Sequence, residues 1–90
     1  MIDKYLPLGT VVQIKNVPRK LLICGFCVKN VDDNKAYDYA AYPYPTGILE
    51  QNQNVLFNHD AIEKIVFLGL RNENDKRFKE NLIKSLKEDR

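Results

Sequence analysis

The sequence predicts an α+β fold: a small curled antiparallel β-sheet, or barrel-like sheet, of four to five strands followed by one C-terminal α-helix. Three observations lead there. Residues 10–70 hold short apolar, β-branched and aromatic runs separated by turn residues. The longest run, Leu21 to Val28, is apolar on both faces and carries Gly25 near its middle. Beyond residue 70 the pattern changes to one apolar side chain every four residues, at Phe78, Leu82 and Leu86. Ninety residues hold one core, so residues 1–90 form a single domain, mainly β over 1–70 and helical over 71–90.

Leu6-Pro7-Leu8-Gly9 reads as a turn feeding the first strand, Thr10 to Lys15, in which Val12 and Ile14 share a face. Pro18 keeps residues 16–19 as a connector. Lys20 to Val28 is then expected to be the central strand, covered on both sides, with a bulge or bend at Gly25. Residues 30–35 form a polar hairpin loop, and Ala36 to Tyr42 returns as the antiparallel partner. In that partner Tyr37, Tyr39 and Ala41 share one face, while Asp38, Ala40 and Tyr42 share the other. Pro43 and Pro45 end it, since proline cannot donate to a ladder. Over 48–58 the apolar islands Ile48-Leu49 and Val55-Leu56-Phe57 flank a polar stretch, and short edge strands or a packed loop both fit. Asn58 is placed to cap a single turn through Ile62. Lys64 to Leu70 is the last strand, and Asn72 or Asn74 caps the helix, whose Lys84, Lys87 and Arg90 suit its negative end. The expected core is Val12, Ile14, Leu22, Ile23, Phe26, Tyr39, Phe57, Ile62, Ile65 and Phe67, with Phe78, Leu82, Ile83 and Leu86 laid on it by the helix.

The charge pattern narrows the function. The net charge is +2, with seven basic and seven acidic residues over 1–70 and seven against five over 71–90. Phosphate neutralisation needs a clustered basic stripe, so no nucleic-acid partner is expected. No stretch approaches the roughly 20 apolar residues of a membrane span, and no secretory signal is visible at the start. Two cysteines are too few to staple a secreted scaffold, which makes a cytoplasmic location the default. A chain this short buries only about 60–65% of its unfolded surface, so a partner, or a homodimer, would add stability.

Chemical constellations are sparse. Cys24-Gly25-Phe26-Cys27 has the spacing of a dithiol redox centre, but that mechanism needs a helix N-terminus to lower the thiol pKa. Here the pair sits within a strand-like run, where positions three apart face opposite ways. The single histidine, His59, and two cysteines do not make a zinc set, and its ring is expected to bond nearby backbone. No nucleophile–base pair or glycine-rich phosphate loop is visible, so neither an enzyme activity nor a cofactor is expected. The tyrosines stand out: Tyr37, Tyr39, Tyr42 and Tyr44 fall within eight residues. Tyr37 and Tyr39 suit packing on a sheet face. Tyr42, Tyr44 and Pro45 form a candidate recognition edge, together with Phe78, Leu82 and Leu86 on the helix.

Several strings agree with one pattern. They are Leu6-Pro7-Leu8-Gly9-Thr10, Tyr42-Pro43-Tyr44-Pro45-Thr46-Gly47, and Phe57-Asn58-His59-Asp60-Ala61-Ile62. In order and spacing the chain resembles a family of small Gram-positive bacterial proteins of unknown function. That family shows a Leu-Pro-Ile-Gly-Ser start, a Tyr-Pro-x-Gly turn and a Phe-Asn-His-x-x-Ile segment. The likeness spans about residues 6–70. Its genes often stand beside LXG-type toxins of type VII secretion, and some members resemble chaperones or targeting factors for them. The resemblance implies an adaptor or chaperone for a larger LXG-type effector. An immunity-type inhibitor of such a toxin is the alternative, and a dithiol protein using Cys24 and Cys27 is a further one.

Overall fold

The computed structural model describes residues 5–49 and 54–88, with side chains to residue 86. The polar stretch 50–53, the first four residues, and the side chains of Lys87 and Arg90 lie outside the described residues. Five strands, β1 (Val11–Ile14), β2 (Leu21–Lys29), β3 (Ala36–Pro43), β4 (Val55–Phe57) and β5 (Ile62–Phe67), precede helix α1 (Glu73–Glu88). They form one antiparallel sheet in the order β4-β3-β2-β1-β5. β2 is therefore central, as its apolar sequence predicts. β4 and β5 lie at opposite edges, yet only Asn58 and a 3₁₀ turn, His59–Ala61, separate them in the chain. Such a link reaches no further than about 17 Å, so the sheet must curl sharply without closing.

The curl has visible sources. Cys24 is an extra residue between the Ile23↔Ala41 and Gly25↔Ala40 pairs, so the bulge predicted at Gly25 is present. β5 carries two more irregularities against β1, where Val66 and Glu63 fall between paired positions. They correct part of the expected core. Opposed residues share a face, and Phe67 is opposite Val11 while Ile65 is opposite Val12. Phe67 therefore points to the outer face and is 63% exposed. Ile65 keeps the inner face but sits at the sheet edge, 47% exposed.

On the inner face Val12, Ile14, Leu21, Ile23, Tyr39, Ala41 and Phe57 are buried, joined by Tyr5 and Leu6 from the entering segment. Leu22, Phe26 and Ile62, also expected there, are only partly buried; Leu22 lies opposite Val11 on the outer face. Tyr39 is the hub, with ring centroids of Tyr5, Phe26, Phe57 and His59 all within 5.4–6.0 Å. Its hydroxyl accepts from the Leu6 N–H at 3.0 Å and bonds His59 Nδ1 at 2.7 Å. His59 thus pairs with a side chain rather than with backbone as expected. Asn58 differs too. Its side chain leaves the 3₁₀ turn uncapped and instead accepts from the Asp38 N–H, while Asp38 accepts from the His59 N–H. The two segments are stapled across the curl.

The helix docks as its stripe predicts, with one correction. Leu82, Ile83 and Leu86 pack against the core, whereas Phe78 stacks on Phe26 at 5.8 Å and stays half exposed. Asn72 provides the cap, accepting from the Asp75 N–H at 3.0 Å. Beside the stripe lies an unexpected buried cation. Lys79 is 2% exposed; it donates to the Tyr5 carbonyl at 3.0 Å, pairs with Asp75 at 2.9 Å and covers the Phe26 ring. This lysine ties α1 to the entering segment. Pro43 is a smaller correction: it is part of β3, opposite Leu21, because a strand end tolerates a missing donor.

Candidate functional site

A curled sheet has two faces, and α1 covers the inner one. The outer face keeps a row of apolar side chains crossing four strands in register: Phe67 of β5, Val11 of β1, Leu22 of β2 and Tyr42 of β3. Val11 is buried between its neighbours, while Leu22 and Tyr42 are partly open. The expectation that β2 is covered on both sides therefore fails on this face.

Two hollows adjoin the row, one on this face and one where the surface turns past Cys24 toward Phe26 and the start of α1. One, of about 260 Å³, is walled by Leu22, Cys24, Tyr42, Pro43, Tyr44, Pro45 and Ile48. The other, of about 640 Å³, lies between Leu8, Cys24, Phe26, Leu70 and Phe78. They meet at Cys24, which the bulge in β2 pushes outward. The Pro-Tyr-Pro turn is held in place by backbone and side-chain bonds. Tyr44 N–H donates to the Lys20 carbonyl at 2.9 Å, Gly47 N–H to the Pro43 carbonyl at 2.8 Å, and Arg19 Nη2 to Thr46 Oγ1 at 3.2 Å. Gly47 has φ +69°, which a side chain would strain.

Of the residues singled out in the sequence, Tyr42, Tyr44 and Pro45 line the first hollow and Phe78 lines the second. The structure brings these four onto one connected surface. It takes Leu82 and Leu86 away, since both are partly buried against the core. Sequence reasoning missed Leu8, Leu22, Phe67 and Leu70. A signal was available in the doubly apolar β2 of a chain with a single helix, because one helix cannot cover both faces of a five-stranded sheet.

The cysteines part ways. Cys24 is exposed, and the apolar walls around it raise its thiol pKa. Cys27 adopts φ +52° and turns its thiol inward to donate to Tyr5 Oη at 3.4 Å. A dithiol centre needs a lowered thiol pKa, and Cys24 is shifted the other way. Asp33 serves the β2–β3 loop, accepting from the Lys35 N–H and the Tyr37 hydroxyl, and those bonds lower its pKa. Among the described residues no cluster of three potential metal ligands occurs, and no helix is long and apolar enough to cross a membrane.

No curated protein and no solved structure matches the chain. A family model does, over residues 5–78, from the segment buried beside Tyr39 through the strands and into α1 as far as Phe78. The match takes in every residue of the outer row and both hollows, and on it the chain belongs to the family described as domain of unknown function DUF4176.

Proposed function

We propose that this chain is a non-catalytic protein-binding accessory, an adaptor or chaperone for a larger effector. The observation that carries the reading is a connected apolar surface, in which an outer cross-strand row runs into two hollows that share Cys24 and are walled by Tyr42, Tyr44, Pro45 and Phe78. Contiguous exposed apolar surface of this kind marks interaction sites in small domains. Tyrosine and proline on a fixed turn add contact area at little conformational cost. Exposed Leu8, Phe67 and Leu70 border the same surface. The sequence resemblance to small Gram-positive proteins encoded beside LXG-type toxins supports an LXG-type effector as the partner in this proposal, which places the chain in the cytoplasm before type VII export.

The test is co-purification of the tagged chain with an LXG-type effector from its own host. The reading expects one large effector retained by the wild type and lost with Tyr44→Ala and with Phe78→Ser. Binding should map to the effector's targeting portion; binding to its toxic domain would mean an immunity protein instead.

A further inference from the structure

The outer surface has an electrical polarity set by the sheet register. Next to the row Phe67–Val11–Leu22–Tyr42, the following outward position is Lys64, opposite Gln13. At the far end stand Lys20, whose carbonyl accepts from Tyr44 N–H, and Arg19, bonded to Thr46. Lys64, Lys20 and Arg19 are all exposed. One long flank of the apolar row is therefore cationic. Among the described residues the nearest acid along β5 is Glu63, the exposed bulge residue between Lys64 and Ile62, and it leaves the line with three cations to one acid.

The other flank is different. Leu8, Leu70 and Phe78 form it with the side chains of Asn72 and Asn74, and the carboxylate there, Asp75, is already paired with Lys79 at 2.9 Å. A second copy docked through this same flank would bring, among the described residues lining it, only the already paired Asp75 to answer the cations. A partner with acids along one side of an apolar segment would answer them.

We infer that the surface takes an apolar segment of a partner protein that is flanked on one side by acidic residues. Its apolar side chains seat on Phe67, Leu22 and Tyr42, and its carboxylates meet Arg19, Lys20 and Lys64. The inference rests on the protein-binding reading above and specifies the partner's chemistry. Exposed rim charges of this kind fix register and speed association, and salt screens them.

The test uses the whole chain and two fluorescein-labelled synthetic amphipathic peptides with the same Leu/Phe face. One carries glutamate on its flank and the other lysine. Anisotropy titrations at low salt should show the glutamate peptide binding at least about tenfold more tightly, with the advantage shrinking as salt rises. The triple variant R19E/K20E/K64E, checked for folding by circular dichroism, should reverse the preference, and Tyr42→Ala should weaken both peptides. Equal binding of the two peptides, no binding of either, or an unchanged preference in the triple variant overturns the inference. Equal binding that Tyr42→Ala still abolishes removes only the charge inference. A wild type that retains no effector in the co-purification removes the protein-binding reading itself.

Discussion

Tyr39 shows how one side chain ties the strands to the entering segment. It is fully buried, sits at the centre of the aromatic cluster, and its hydroxyl serves both Leu6 N–H and His59. Tyr39→Phe keeps the ring but leaves a buried amide without its acceptor. It should lower unfolding stability in urea by about 1–3 kcal/mol. Burial pushes the Tyr39 pKa up to about 12 and raises that of Tyr5 as well, the latter helped by the Cys27 hydrogen bond. A folded-state pKa raised above the unfolded value of 10.0 gives stability that is complete below pH 10 and lost as pH climbs through the folded value. Stability should therefore fall between about pH 10 and 12, in step with delayed tyrosinate absorbance. Lys79 offers a contrast. Asp75→Asn leaves its ammonium with the Tyr5 carbonyl and the Phe26 ring alone, for an expected loss of about 1–3 kcal/mol after allowing for Asp75's partial exposure. Lys79→Met removes the cation but leaves the Tyr5 carbonyl and the Asp75 carboxylate without that donor, and should also cost about 1–3 kcal/mol in the same assay. Lysine on a helix reads as solvent-facing, so neither the cation's burial nor its carbonyl partner was legible in the sequence. Only the fold brings Tyr5 and Lys79 together.

At the scale of elements, regular strands were legible and irregular ones were not. Alternation located β1 and β3, and the doubly apolar run located β2 with its bulge. β5 read as a simple strand because its irregularities at Glu63 and Val66 leave no glycine or proline behind. That is why Phe67 was expected inside. The helix stripe predicted docking through Leu82, Ile83 and Leu86, and it failed only for Phe78, near the helix start, which meets Phe26 but stays half exposed. Leu82→Asp should accordingly destabilise the fold by about 1–3 kcal/mol in urea unfolding, since it replaces a partly buried apolar core contact with a carboxylate. Gly69 is a second sensitive point. It follows β5, donates to Thr10 Oγ1, and a Cβ there would overlap the Leu8 carbonyl oxygen. Gly69→Ala should lower the thermal midpoint, by about 1–3 kcal/mol in stability terms, because backbone rather than a flexible side chain must give way.

At the scale of the molecule, supply and demand of apolar surface decide the functional reading. Among the described residues a five-stranded sheet apolar on both faces has one α-helix to cover it. The tyrosine–proline edge of the site was legible because aromatic side chains beside two prolines suggest a fixed, exposed turn. The outer row was not, because it exists only once four strands are in register. The measurement that tests the central claim most directly is effector retention by the Tyr42→Ala/Tyr44→Ala double variant, compared with wild type at equal folded concentration. The account predicts that wild type retains the LXG-type effector and the double variant loses it while keeping its circular dichroism spectrum. Undiminished retention by a folded double variant would contradict it and move the binding site elsewhere on the molecule.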